Sequence, residues 1–522
     1  MSQTNFSVPS LDDLLNPKLL LITLQHLRQT VEQEGEGILQ QWRPHIQRHS
    51  FLPSALNLAQ YLILRRQDLR PIQMALMPWG LSSLGCLEGR VLANLDAVIT
   101  TLGLICAEKP QDLPPHPPLP AFFEGDRLLH QQTEAVFGPT PAHRRGRIMV
   151  TLPTEAADDE TFMRELLLRG TDCVRINCAH DDAAQWQKMI ERLRQAELET
   201  GRTCKVLMDL GGPKPRTGTI WTIDPKQRLL IGDYLCLTAA LPPLAKNDLA
   251  AFREVLPGRS LEHLTQVNCT LPEVLPQLQV GASVWINDGK LGTQVVALTP
   301  QAALLQVTHA RPKGERLRSD KGLNFPETAL HLNPLTPKDG QDLDFVATHA
   351  DIVGYSFVQS AADITLLQQM LALRRQSLPP LAIVAKIETP LAVQNLPELI
   401  VQAAGKQPFG VMIARGDLAV EIGYQRLAEI QEEILWLCEA AHIPVIWATQ
   451  VLETLVKNGI PSRAEVTDAA MGERAECVML NKGPFLLEAI PILDNLLTRM
   501  QSHQLKKTPQ LRALQVWAGI GV

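Results

Sequence analysis

Residues 381–421, LAIVAKIETPLAVQNLPELIVQAAGKQPFGVMIARGDLAVE, decide how the chain is to be read. Two short apolar runs, Leu381 to Ala385 and Phe409 to Ala414, have the unbroken hydrophobicity of strands buried on both faces of a parallel sheet. Each ends in charge: Lys386-Ile387-Glu388 after the first, Arg415-Gly416-Asp417 after the second. Side chains alternate along a strand, so Lys386 and Glu388 share a face. Carboxylates at the ends of neighbouring strands are the oxygen ligands a hard divalent cation takes. On spacing alone the same charges also suit ordinary caps on two core strands.

The unit recurs in both directions. Upstream lie strands at 148–151, 173–177 and 204–209, with helices over 155–169, ending at Gly170, and over 182–200, closed by Gly201. Downstream come a helix near 337–348 and strands at 351–356, 381–386, 409–414, 443–448 and 476–480, each followed by a helix. A β-α repeat with eight parallel strands is an α/β protein best closed as a (β/α)8 TIM barrel, with its active site at the C-terminal strand ends. The polar residues fall there: Arg175, Asn177, Asp209, Ser356, Lys386, Glu388, Asp417 and Thr449. Between the third and fourth strands the rhythm breaks. Residues 219–318 read as short alternating strands with an Asn-Asp-Gly turn at 287–289, a small inserted β-barrel domain.

The expected organisation is therefore a helical N-terminal region (1–109), a linker and connecting helix (110–146), a barrel (147–218 and 319–500), the insert (219–318) and a tail (501–522). Leucine at helical spacing makes the first region all-α. Its Arg65, Arg66 and Arg70 read first as a solvated helix face, with contact to an anion or a partner as the alternative. PQDLPPHPPLP (110–120) is predicted to be stiff, extended and non-helical, 125–137 helical, and HRRGR (143–147) surface charge.

Composition sets the wider limits. A chain of 522 residues, 45% hydrophobic and 20% charged, is an ordinary multi-domain globular protein. A formal charge of -6 argues against a general nucleic-acid binder. Nine scattered cysteines without a C-x-x-C pair suit a reducing compartment. The N-terminus lacks signal-peptide character, and LLLIT (19–23) is too short to span a bilayer. A soluble cytoplasmic protein without membrane or nucleic-acid partners is expected.

Seven motifs, in order, resemble those of the pyruvate kinase family across residues 147–500. VRINCAH (174–180) is similar to VARLNFSH, MDLGGPKPRTG (208–218) to LDTKGPEIRTG, and KGLNFP (321–326) to KGVNLP. AKIET, VMIARGDLAVEI, VIWATQVLET and SRAEVTD are similar to SKIEN, IMVARGDLGIEI, VICATQMLES and TRAEGSD. The resemblance implies a mobile lid over a barrel site that moves the phosphoryl group of phosphoenolpyruvate to ADP, giving pyruvate and ATP. It implies Mg2+ or Mn2+ on Glu388 and Asp417, and Lys386 neutralising the phosphoryl group in flight and the enolate left behind. Arg175 would grip the phosphate beside Ser356, the Gly416 and Asp417 backbone the carboxylate, and Thr449 would help deliver a proton. Asn177, His180 and Lys321 match positions near the nucleotide, with Asp209 and Arg216 in support.

Departures matter too. Lys214 stands where family members that dispense with K+ carry lysine, so its ammonium is expected to replace that ion near Asn177, Ala179 and Asp209. The family's T-I-G-P is Thr151-Leu152-Pro153-Thr154 here, Gln359 replaces a frequent arginine, and S-G-E-T becomes Asn481-Lys482-Gly483-Pro484 after a shortened segment. Barrel loops at that end often bind phosphate, so the nucleotide subsite is where this chain should differ most. No counterpart of the family's C-terminal effector domain is expected, and oligomerisation or regulation is expected of the N-terminal helices instead. Two other readings stand beside phosphoryl transfer: enolate chemistry with another acceptor or carbon–carbon cleavage, and a weakly active sensor or scaffold. Retention of Lys386, Thr449 and the lid favours the first.

Overall fold

The computed structural model describes residues 8–244, 250–256, 263–376 and 378–510, so parts of the expected lid and most of the tail (511–522) lie outside the described residues. In chain order the strands of the two larger sheets are β1 (Arg147–Thr151), β2 (Cys173–Asn177), β3 (Lys205–Asp209), β4 (Thr217–Trp221), β5 (Tyr234–Thr238), β6 (Thr265–Cys269), β7 (Ser283–Ile286), β8 (Leu291–Thr299), β9 (Ala302–His309), β10 (Leu323–Asn324), β11 (Ile352–Tyr355), β12 (Ala382–Ile387), β13 (Phe409–Ala414), β14 (Val445–Ala448) and β15 (Cys477–Leu480). Eight of them close into a parallel barrel, β1-β15-β14-β13-β12-β11-β3-β2. Alternation decides what each strand shows to the inside. On β12, Ala382 and Val384 pack with Met412, Ile446 and Met479 in the barrel interior, while Ile383, Ala385 and Ile387 join the core under the outer helices. Lys386 has the parity of the inward row, which carries it into the mouth. Val136 and Phe137, at the end of the helix Glu124–Phe137, join the interior cluster.

The remaining seven strands form the insert, in the order β10-β7-β8-β9-β5-β6-β4. Its edge strands meet at the base: Thr217 N donates to Lys321 O (2.8 Å) and Leu323 N to Pro215 O (2.9 Å), so the sheet curls onto itself where it joins the barrel. The β7–β8 hairpin turns through Asn287 and Asp288 at φ +60° and +55°, the left-handed pair such a turn demands.

The first region is helical, dominated by Pro17–Trp42, Leu52–Leu64 and Val91–Ile105. It docks on the barrel's outer layer, where Gln47 N and Arg48 N both donate to Gly405 O (2.7 and 2.8 Å). Among the described residues no helix is long and apolar enough to cross a membrane.

Three local expectations need correction. The proline-rich stretch contains a 3-10 turn, Pro110–Asp112, and a short helix, Leu119–Phe122, because proline in a first turn sacrifices no helical hydrogen bond. The helix expected over 155–169 is a turn, Thr154–Ala157, and a separate helix, Glu160–Leu168, capped by Asp159. HRRGR is surface charge only in part: His143 is exposed and Arg145 half-buried. Arg144 and Arg147 are each 2% exposed, and Arg144 pairs with Asp172 (2.8 Å) and Asp494 (2.7 Å).

Candidate active site

At the C-terminal mouth of the barrel lies a cavity of about 470 Å³. At its floor, Lys386 Nζ donates to Ser356 Oγ (2.6 Å) and pairs with Glu388 (3.2 Å) and Asp209 (3.3 Å). Burial works to lower the Lys386 ammonium, but Asp209 and Glu388 outweigh it and hold its pKa above the ordinary value. Asp209 is fully buried; burial works to raise it, yet Lys386 and Arg175 keep it below the usual carboxylate range. Arg175 reaches that carboxylate through Nε (2.8 Å) and Nη2 (2.5 Å), and its Nη1 donates to Thr151 Oγ1 (3.2 Å). Glu388 is raised, first by burial and then by Asp417, and its Oε2 accepts from Phe357 N (2.6 Å).

Asp417 lies on the helix Arg415–Ile422, which follows β13. Lys214 shares the cavity lining with Asn177 and Ala179, and its Nζ donates to Asp417 Oδ1 at 2.6 Å. The Asp209 oxygens are already taken by Arg175, Lys386 and Ser356, which leaves Asp417 as the open carboxylate. Thr449 Oγ1 accepts from Gly416 N (3.0 Å), so the hydroxyl assigned to proton delivery also anchors the backbone assigned to the substrate carboxylate. Thr449, Gln450 and Leu452 all have positive φ (+64°, +59° and +47°). Such strain in non-glycine residues costs ~1–3 kcal/mol each and concentrates at functional sites.

Asn177, His180 and Arg216 line the cavity, whereas Lys321 does not; its backbone N donates to Thr217 Oγ1 at the base of the insert. His180 is lowered, by burial first and then by Lys482 and Arg216. The sequence reading missed Lys457 and Lys482, which also line the cavity. Lys482 was visible only as part of the departure at 481–484. It also missed Glu421, whose Oε1 accepts from Asn324 Nδ2 (2.9 Å) on β10 and from Phe325 N (3.3 Å) just after it.

The chemistry of this mouth is lopsided. Six cations, Arg175, Lys214, Arg216, Lys386, Lys457 and Lys482, face two carboxylates, Glu388 and Asp417. A divalent cation fits those two: both open on one cavity, and each is already drawn to a lysine ammonium. Among the described residues no cluster of three or more protein metal ligands occurs, so the remaining coordination would fall to substrate oxygens and water, as is usual for Mg2+.

Fold and site together define a (β/α)8 barrel with an inserted β domain and a mouth in which cations outnumber carboxylates. The family described as pyruvate kinase, barrel domain, matches residues 143–484. The chain is 29% identical over 378 residues to a pyruvate kinase of Agrobacterium vitis, covering 70% of this chain and 71% of that one. Against pyruvate kinase 2 of Synechocystis sp. it is 31% identical over 374 residues, 70% of this chain and 58% of that one. The crystal structure of a pyruvate kinase from Cryptosporidium parvum aligns with a TM-score of 0.58 at 26% identity, over 71% of this chain and 72% of that one. The chain belongs to the pyruvate kinase family.

Proposed function

We propose that the protein transfers the phosphoryl group of phosphoenolpyruvate to ADP, yielding pyruvate and ATP in cytoplasmic glycolysis. The excess of cations over carboxylates in one cavity at the barrel mouth, with Lys386 paired to Glu388 within it, carries the reading. The bond between phosphorus and the enol oxygen breaks, a bond from phosphorus to a terminal oxygen of ADP forms, and the enolate takes a proton on carbon. Little covalent work falls to the protein; positioning and charge stabilisation do it.

Lys386 stands where it can neutralise the phosphoryl group and the enolate. Arg175, fixed by Asp209 and Thr151, holds the phosphate, and Ser356 orients Lys386. Glu388 and Asp417 would hold a divalent cation, Mg2+ or Mn2+, which when bound would supply Lewis-acid stabilisation of the developing oxyanion. Thr449 positions Gly416 for the substrate carboxylate and passes a proton through water. Asn177, His180 and Lys482 border the space for the nucleotide phosphates, with Lys321 at the lid base, and Arg216 supports them. The lid, closing, excludes water.

A coupled assay with phosphoenolpyruvate, ADP and Mg2+ tests this: pyruvate and ATP form in equal amounts, and Lys386→Met lowers kcat by about 10²–10³-fold. Absence of pyruvate with the wild-type chain would reject the reading. Lys214 supplies the fixed positive charge that K+ would otherwise provide, so activity in K+-free buffer is expected to change little on adding KCl. A strong rise would defeat that assignment.

A further inference from the structure

A second cavity, of about 350 Å³, shares no lining residue with the one at the barrel mouth and lies where the N-terminal helices, the barrel helix Tyr424–Ala440 and the segment after residue 500 meet. Its charges do not cancel. Asp68 is paired with Arg70 (2.6 Å) and Glu88 with Lys507, while among the described residues no carboxylate pairs with Arg65. Arg65 spends one donor on the Tyr61 hydroxyl (2.7 Å), and its guanidinium lies 4.9 Å from the centre of the Trp436 ring. The Lys507 ammonium lies 4.7 Å from the same ring.

Two buried polar atoms in the wall are also unmet: Trp436 Nε1 and Glu88 Oε2 have no hydrogen-bond partner among the described residues, and Glu88 is only 2% exposed. Buried groups of this kind are normally satisfied, so their coincidence at one cavity asks for an occupant. Spare donors on a guanidinium and an indole call for an acceptor with negative charge. A spare carboxylate oxygen calls for a donor. Lys507 touches both Glu88 and Trp436, so its movement toward a bound anion would open the two covered atoms.

We propose that this cavity binds a small organic anion, a phosphate ester or a carboxylate, that also carries a hydroxyl. The anionic group lies on Arg65 and Lys507, and the hydroxyl donates to Glu88. The cavity volume suits a small metabolite. The position suits regulation, because Trp436 rides on the helix that follows Gly423 and the Asp417-bearing helix Arg415–Ile422. Occupancy can therefore bias the placement of Asp417.

Tryptophan fluorescence of the full chain, titrated at constant ionic strength with inorganic phosphate, glycerol 3-phosphate or glycerate, tests the site. A saturable change is expected with at least one hydroxylated anion, absent in Trp436→Phe and at least tenfold weaker in Arg65→Ala, with Arg65→Lys between that variant and wild type. Response to the ester or to the acid tells phosphate from carboxylate; either supports the proposal. Lys386→Met should titrate as wild type, which separates this cavity from the barrel mouth. The proposal is overturned by no saturable response to any of the three, by unchanged affinity in Arg65→Ala, or by loss of the response in Lys386→Met.

Discussion

Glu421 lies one helical turn beyond Asp417, and burial pushes its carboxyl up from 4.5 to about 7, with Asp417 adding and the bonds from Asn324 and Phe325 opposing. The folded protein then holds this proton more tightly than the unfolded chain. Its contribution to stability is present below pH 4.5, is lost as pH rises toward 7, and is flat beyond. Glu421→Gln keeps an oxygen for both donors and removes the titration. The variant is expected to be more stable than wild type at pH 8, by up to ~3 kcal/mol, with the difference gone near the unfolded value. Denaturant midpoints at pH 5 and pH 8 check this; equal offsets at both would sink it. The contrast with Lys386 shows what sequence can hold at this scale. Lys386 lies on β12 and Glu388 just past its end, two apart in sequence, so local spacing already puts them on one face, where they pair at 3.2 Å. Glu421 meets a partner 97 residues away, and no local spacing encodes that meeting.

Elements are legible where one face or both faces are apolar, and less so where charge is recruited to the interior. The Phe409–Ala414 run is a strand with the boundaries its hydrophobicity suggests, because every residue of it is buried. HRRGR carries no such signature, since arginine is usually solvated. Arg144 is buried because chain closure brings Asp494, 350 residues on, against it, and because Gly146 O and Gly170 O accept its remaining donors. It therefore ties the entry to β1, the turn before β2 and the helix Leu486–Met500 into one unit. Asp172, raised by burial, relies on Arg144 first among the groups that oppose that rise. Arg144→Ala leaves Asp172 and Asp494 without this cation, and breaking a buried pair from one side costs about 3–5 kcal/mol. Thermal unfolding followed by circular dichroism should show that loss, and a change under 1 kcal/mol, the size of an exposed pair, would return Arg144 to the surface role its sequence suggests.

The whole molecule depends on how the helical region holds the barrel, and one neutral histidine sits at that seam. His442 follows the helix Tyr424–Ala440; its Nδ1 lies 2.9 Å from Ser54 Oγ and its Nε2 3.0 Å from Gly89 O. A neutral ring with the proton on Nε2 donates to the Gly89 carbonyl and accepts from the Ser54 hydroxyl; a charged ring has no acceptor left. Burial accordingly lowers its pKa from 6.5 to about 4, against smaller opposing effects of Gly89 O and Glu124. The seam is also too tight to rearrange around a charge: a Cβ on Gly125 would meet Gly89 O at 1.9 Å and His442 Nε2 at 2.7 Å. Undocking lets the ring bind a proton that the docked state refuses. Stability of the seam is therefore full above pH 6.5, falls as pH drops toward 4, and levels off below, a loss of up to ~3 kcal/mol from this group. Hydrogen exchange in the helix Leu52–Leu64, corrected for the intrinsic pH dependence, should lose protection across that window in wild type and change less in His442→Gln, which has no proton to gain. Parallel losses in both proteins would assign the acid sensitivity to carboxylates elsewhere and free His442 of this role.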